Sequence, residues 1–168
     1  DFDLMTYENL GFENNPINNN LHKVLEDSLL KASNPLLLLG GGCRTPVIKD
    51  LPNILDKINI PFVTSWLGFD LIEFKNKNHL GHIGMAGHRG GNLALGNCDL
   101  LIVIGSSVST SVTTTRPENF AKNALRININ VEKKDFDHTR KFFHHNIQDN
   151  AINTLSILEK ITKQELKE

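Results

Sequence analysis

The chain has 168 residues, of which 39% are hydrophobic and 22% are charged, and its formal net charge is −1. This is the composition of a globular protein large enough for one α/β domain. The balanced charge argues against a nucleic-acid partner, and the longest apolar run, Leu100 to Ile104, is too short to span a membrane. The two cysteines, Cys43 and Cys98, give neither a disulfide framework nor a CxxC metal pair. We therefore expect a reduced, cytoplasmic setting.

The first residues differ in character from the rest of the chain. Residues 1–20 contain Gly11, Pro16 and a cluster of asparagines without a sustained period, and we expect an interdomain linker there. Because the chain starts with Asp1 rather than Met, we also expect it to be part of a longer protein. Apolar residues at helical spacing predict a helix over 21–33, ending before Pro35. We expect residues 21–168 to form one domain.

The rest of the chain alternates apolar strands with amphipathic helices. Runs that are apolar throughout are typical of strands in a parallel sheet covered on both faces. Their alternation with helices predicts a doubly wound, Rossmann-like α/β domain of the NAD/FAD-binding class, with a mostly parallel sheet of five to six strands and helices on both faces. Residues 68–88, rich in glycine and histidine, are expected to be irregular. The predicted strands are 36–39, 61–64, 100–104, 125–131 and 142–147, and the later helices are 47–58, 90–97 and 149–163.

Three loops follow the carboxyl ends of predicted strands, where ligands bind in sheets of this kind. They are residues 40–46, 64–69 and 105–116. The triplet Gly40-Gly41-Gly42 in the first loop is typical either of close backbone approach to a phosphate, with free amides, or of a tight turn. The third loop is dense in hydroxyl groups, which either bind ligand oxygens or cap the sheet.

Several other polar residues could either contact a ligand or have a purely structural role. His79, His82 and His88 lie close in sequence, but no Cys, Asp or Glu joins them, so we favour solvated or loop-fixing histidines over a metal site. Asp149 precedes the last helix and either contacts a ligand or caps that helix, and we favour the cap. Asn130 ends a strand at a place where nucleotide-binding folds often have an acidic residue.

The ordered segments NPLLLLGGG, PFVTSWLG, HLGHIGMAG, NLALGNCDLLIVIGS and LRININVEKKDF resemble the central domain of the acetolactate-synthase-like thiamine-diphosphate (ThDP) enzymes. The resemblance covers about residues 21–160. It implies a longer protein with a pyrimidine-binding and a pyrophosphate-binding domain in the same chain, assembled as a homodimer or homotetramer. ThDP and Mg²⁺ would lie between those outer domains and act on 2-oxo acids in transferase or lyase chemistry. The resemblance therefore implies no catalytic residue and no metal ligand in this chain, which alone should be inactive and a monomer or weak dimer.

Central domains of this family hold FAD, ADP or a CoA-derived nucleotide, or have an empty site. FAD-binding members have a histidine where this chain has Ala86, an arginine and aspartates in the loop where it has 106–110, and an acidic residue in place of Asn130. Each charged hydrogen bond is worth about 1.5–3 kcal/mol, so we expect an empty or weak site for FAD or ADP. The resemblance implies the lining Gly40, Gly41, Gly42, Thr64, Ser65, Trp66, Gly84, Met85, Gly105, Ser106, Asn130 and Asp149.

Two alternatives remain at this point. The chain could be a stand-alone FAD-, ADP- or NAD-binding module, because the same class of sheet serves many such proteins. It could also be a complete small enzyme that uses its histidines.

Overall fold

A computed structural model describes residues 19–44, 48, 50–73, 75–113 and 116–165. The described residues form one six-stranded sheet in the order β3-β2-β1-β4-β5-β6. Every neighbouring pair of strands is parallel. The predicted fold class, a doubly wound α/β sheet, is confirmed. The strands are β1 (Pro35–Leu39), β2 (Phe62–Thr64), β3 (His79–His82), β4 (Leu100–Ile104), β5 (Leu125–Asn130) and β6 (His145–Gln148).

The two central strands, β1 and β4, are apolar along almost their whole length. All five residues of β4 are buried, and so are four of the five in β1. A strand covered on both faces has no polar side to present to water, which explains why these runs do not alternate with polar residues. Since β2 pairs on one side of β1 and β4 on the other, the strand order reverses between β1 and β4.

Helices cover both faces of the sheet and bury two apolar clusters. Leu37 and Leu39 of β1 face one cluster, while Leu36 and Leu38 face the other, as the two-residue period of a strand requires. None of the helices in the described residues is long and apolar enough to cross a membrane. The helices are α1 (Asn19–Leu29), α2 (Leu51–Ile58), α3 (Arg89–Asn97), α4 (Thr110–Thr113) and α5 (Ala151–Glu165).

The structure differs from the sequence-based expectations in several bounds. The stretch 68–88, expected to be irregular, contains the edge strand β3, which pairs with β2 through a register shift between Phe62 and Thr64. The last strand lies at His145–Gln148 rather than 142–147. The first helix starts at Asn19, inside the expected linker, whose residues 1–18 lie outside the described residues. The helix expected from residue 47 begins at Leu51 in the structure, and Val47 is also not described.

Candidate functional site

A cleft of about 560 Å³ opens at the carboxyl ends of the central strands, where the strand order reverses. The three loops expected from the sequence supply most of its walls, following β1, β2 and β4. The end of β5 and the short 3₁₀ helix after it close one side. The lining residues are Gly41, Gly42, Arg44, Ser65, Trp66, Leu67, Gly105, Ser106, Ser107, Ser109, Ser111, Val112, Asn130 and Asp135.

The floor of the cleft is a contact between two glycine-containing loops. A Cβ atom added to Gly40 would lie 2.1 Å from the carbonyl oxygen of Gly105, which is far inside van der Waals contact. Gly105 itself has a φ of +62°, a conformation that favours glycine. The glycines are therefore needed for the loops after β1 and β4 to touch each other, and this need exists without any ligand.

The amides of the first loop are largely used within the protein. Gly40 donates to the Ile104 carbonyl and Gly42 donates to the Gly105 carbonyl, both at 2.9 Å. Cys43 and Arg44 donate back to the carbonyls of Gly40 and Gly41 in a 3₁₀ turn, at 3.0 Å each. Of the two alternatives left open by the sequence, the tight turn fits Gly40 and Gly42, because interloop bonds occupy the amides that a phosphate would need.

The hydroxyl-rich loop after β4 also satisfies several of its groups internally. The Ser106 hydroxyl accepts from the Val108 amide at 3.3 Å, and the hydroxyl oxygens of Ser109 and Ser111 lie 2.8 Å apart. Val108 is buried with a φ of +51°, which is an unusual conformation for a β-branched residue. Such a conformation costs about 1–3 kcal/mol and persists only where the surrounding packing enforces it.

The charged groups of the cleft are already paired. The Arg44 guanidinium forms a salt bridge with Asp70 and also donates to the Leu67 carbonyl at 3.0 Å. On the other side, the Asn130 amide donates to the Asp135 carboxylate at 2.8 Å. A diphosphate placed between them would meet a neutralised cation and a carboxylate. The lining residues therefore do not fit tight binding of FAD or another dinucleotide.

Of the twelve expected lining residues, the structure brings seven into the cleft wall. Gly40 lies against Gly105 at its floor. Thr64 is fully buried in β2, and its hydroxyl has no protein partner. Met85 is exposed and lies outside the wall. The seven are Gly41, Gly42, Ser65, Trp66, Gly105, Ser106 and Asn130.

The remaining two expected residues have structural partners. Gly84 is tied to α3, because its amide and carbonyl both bond to the Asn92 side chain at 3.1 Å. Asp149 is buried beside Asn130, outside the cleft wall, and accepts from the Asn150 amide at 2.7 Å and from the Asn153 side chain. The side chain that caps α5 belongs to Asn150, which accepts from the Asn153 amide at 2.8 Å. The capping role expected for Asp149 thus falls to its neighbour.

The histidines and cysteines have mainly structural contacts. His79 stacks on Phe62 with ring centroids 5.0 Å apart. Within the described residues, no three His, Cys, Asp or Glu side chains form a group that could hold a metal. Burial raises the pKa of Cys43 to about 12 and that of Cys98 to about 11, so both thiols stay protonated near neutral pH.

Sequence reasoning missed two charged residues of the cleft, Arg44 and Asp135. Arg44 lies two residues after the glycine triplet, and its position after a strand end was a usable signal. Asp135 lies in a 3₁₀ helix (Lys133–Phe136) that carries no distinctive pattern, so only the folded chain reveals that its carboxylate faces Asn130.

Comparison with known proteins agrees with this geometry. The chain is 36% identical over 107 residues to a 3D-(3,5/4)-trihydroxycyclohexane-1,2-dione hydrolase of Listeria monocytogenes serotype 4b (strain F2365), a match that covers 62% of this chain and 17% of that protein. It is 31% identical over 113 residues to the acetolactate synthase large subunit of Cyanidium caldarium, a match that covers 67% of this chain and 19% of that protein. It is 32% identical over 114 residues to the acetolactate synthase large subunit of Porphyra purpurea, a match that covers 66% of this chain and 19% of that protein.

The chain spans less than a fifth of the length of these relatives. The family described as thiamine pyrophosphate enzyme, central domain, matches residues 23–158, which is most of the chain. The same residues contain all six strands of the sheet. The resemblance noted in the sequence is confirmed, and the chain belongs to the family of thiamine pyrophosphate enzyme central domains.

Proposed function

We propose that this chain serves as a non-catalytic central domain within a longer, cytoplasmic ThDP-dependent enzyme of the acetolactate-synthase type. The family match over residues 23–158 carries this proposal. In it, residues 1–20 link the domain to its neighbour and residues 21–168 form the domain itself. The sheet and its two apolar cores give the domain a stable body of its own, on which neighbouring domains can be held at a fixed spacing.

In the parent enzyme, pyrimidine- and pyrophosphate-binding domains of the same chain would hold ThDP and Mg²⁺ in a homodimer or homotetramer. The cofactor supplies the carbon–carbon bond chemistry. The substrate would be a 2-oxo acid, as the name acetolactate synthase suggests for two of the relatives. The hydrolase among the relatives is named for a cyclic 1,2-dione.

We further propose that the cleft is a degenerate nucleotide site, weak or without a ligand. Three observations support this: the Gly40 and Gly42 amides donate within the protein, the Arg44 guanidinium is paired with Asp70, and Asp135 adds a carboxylate. The stand-alone nucleotide-binding module is the less favoured function, because it requires these groups to release their present partners.

Thermal unfolding with separate additions of FAD, ADP, CoA, NAD and ThDP/Mg²⁺, followed by circular dichroism, tests both proposals. A ligand at about 100 times its Kd adds about 2.7 kcal/mol to the free energy of unfolding, which is a shift of several degrees for a domain of this size. We expect no such shift with NAD or ThDP/Mg²⁺, and at most a small one with FAD or ADP at high concentration.

A variant that blocks the cleft shows whether an observed thermal shift comes from binding there. Ser107→Trp fills the cleft and should abolish the ligand-induced shift, whereas Ser156→Trp, on the exposed face of α5, should leave that shift unchanged. A large shift with NAD or ThDP would contradict the scaffold proposal. A large FAD or ADP shift that Ser107→Trp removes would contradict only the proposal of a degenerate site.

The assignment of catalysis to the parent is tested with activity. The chain alone, supplied with ThDP, Mg²⁺ and pyruvate, should release no carbon dioxide above a protein-free control, while the full-length parent should do so. Turnover by the chain alone would overturn the non-catalytic assignment.

A further inference from the structure

Two histidine rings meet across the loop between β3 and α3. His82 is the last residue of β3 and His88 is the residue before α3, and their ring centroids are 4.1 Å apart. The backbone amide of His82 donates to Nδ1 of His88 at 3.2 Å. A nitrogen accepts a hydrogen bond only through a free lone pair, so this contact requires a neutral His88 ring with its proton on Nε2.

The two rings respond differently to a proton. Nε2 of His82 lies 3.0 Å from the Ala86 carbonyl oxygen, which can only accept, so His82 carries a proton on Nε2 in either charge state. Protonation of His88, in contrast, would place a second N–H opposite the His82 amide. If both rings were charged, two like charges would also stand side by side. His88 is exposed and therefore open to protons from the solvent.

The loop closed by this pair touches two walls of the cleft. The His82 ring makes an edge contact with Trp66, with centroids 5.5 Å apart, and Trp66 lines the cleft. A Cβ added to Gly84 would lie 2.4 Å from the Ser111 carbonyl oxygen, so the loop also presses against the hydroxyl-rich wall. Movement of this loop is thereby coupled to both sides of the opening.

Few other ionisable groups lie on the elements around the pair. His79 of β3 is one; burial lowers its pKa, and the nearby His88 and His82 rings lower it further. Arg89 begins α3, and Asp70, after the 3₁₀ helix that contains Trp66, is held by Arg44. The described residues of β2 and α4 carry no charge. The Asp70 carboxylate is thus already paired with a cation, and Glu73 contacts His79 through its backbone.

We propose that His88 makes a proton-sensitive hydrogen bond that holds the loop at the wall of the cleft. With its ring neutral, His88 accepts from the His82 amide and keeps the loop against Trp66. A proton taken up at Nδ1 removes this acceptor, releases the contact and lets the Trp66 wall move. This device belongs to the loop itself and does not depend on whether the cleft binds a nucleotide.

Nuclear magnetic resonance of the ¹⁵N-labelled chain tests this hydrogen bond directly, without any ligand. Two signals report on it: the His82 backbone amide and the indole N–H of Trp66, which is the single tryptophan of the sequence. In the wild-type chain, both signals should shift together between about pH 7.5 and about pH 5.5, across the ordinary titration range of histidine. The amide should move towards the position of an unbonded N–H.

His88→Asn is the decisive variant, because its side-chain oxygen takes the place of Nδ1 but does not titrate, and asparagine suits a residue that precedes a helix. It should keep the His82 amide at the position of a bonded N–H across this range, and any remaining shift of the Trp66 signal then reports the adjacent His82 ring. His145→Asn makes the same change at the opposite edge of the sheet and should keep the wild-type response. His88→Gln serves in its place if His88→Asn fails to fold. A wild-type His82 amide that does not move towards the unbonded position, or one that still does so in a His88 variant, would overturn the proposal.

Discussion

At the level of single residues, the cleft floor depends on how closely Gly40 and Gly105 approach each other. Their contact joins the loops after the two central strands, and backbone hydrogen bonds run across it. A side chain at either position would push the loops apart. The space that a phosphate would need is thus partly filled by the protein's own backbone.

We expect Gly40→Ala to destabilise the domain by about 1–3 kcal/mol or more, as overpacking of a buried site does. The added Cβ would meet backbone atoms of Gly105, which cannot rotate away as a side chain can. Gly96→Ala is the matched control, because nothing lies within 4 Å of its added Cβ in α3. It should stabilise the domain by about 0.4–1 kcal/mol. Urea unfolding measures both, and equal effects would contradict the contact described.

His144 should make the domain less stable in acid. Partial removal of the imidazole from water lowers the pKa of this otherwise exposed residue, the charges of Arg126 and His145 lower it further, and its Nδ1 accepts from the Arg126 amide at 3.0 Å. Below the ordinary pKa of 6.5, the unfolded chain therefore binds a proton more readily than the folded one. The free energy of unfolding should fall as the pH is lowered from about 6.5.

The variant His144→Asn keeps an acceptor for the Arg126 amide but does not titrate, so it should lose less stability than the wild type between about pH 7.5 and about pH 5.5, the ordinary histidine range. Urea unfolding at both pH values measures the difference. His22→Asn, on α1, should retain the wild-type loss. The assignment to His144 fails if His144→Asn loses as much stability as the wild type.

At the level of elements, the sequence predicts the strands that are recognisable from their hydrophobic residues alone. The run Leu100–Ile104 is recognisable because every residue of β4 is buried. The edge strand β3 was missed because it is short, contains a glycine and has only one buried residue. Such an edge strand is defined by its pairing with β2, and pairing partners distant in sequence leave no local pattern.

The candidate site was predictable to a similar degree. Loops after parallel strands gather at one edge, so the positions of the three loops followed from the strand assignments alone. Whether the amides of Gly40 and Gly42 are free depends on distant carbonyls in β4 and its loop, which the sequence does not reveal. The pairing of Asn130 with Asp135 is likewise visible only in the folded chain.

The start of α5 provides a prediction at this scale. The Asn150 side chain accepts from the Asn153 amide at 2.8 Å and so satisfies one of the unpaired donors at the helix start. Asn150→Ala should lower the free energy of unfolding by about 1 kcal/mol, within a range of about 0.5–2. Asn150→Ser, which keeps a capping oxygen, should stay close to the wild type. Equal losses in the two variants would show that the cap is not the cause.

At the level of the whole molecule, the two apolar cores share the same central strands. Neighbouring residues of β1 serve different faces, so neither core can form without the sheet. We expect one cooperative unfolding transition for both faces.

Leu37→Ala and Leu38→Ala test this coupling, because each removes a fully buried side chain on a different face. Each should cost about 2–5 kcal/mol. Circular dichroism and Trp66 fluorescence should report the same midpoint in every variant. Leu30→Ala, at a site 67% exposed, should change stability by less than about 0.5 kcal/mol. Separate midpoints for the two probes in either core variant would contradict a single unit.

The short outer strands have a consequence for how the domain meets its neighbours. The strands β3 and β6 have four residues each, and β3 adds the register shift against β2 and a glycine with a φ of +96°. Irregular, short edges offer a poor template for further strands. The sheet therefore terminates itself at both ends. Adjoining domains or a second copy are expected to contact the domain through helix faces and loop side chains, and not by adding strands to the edges of its sheet.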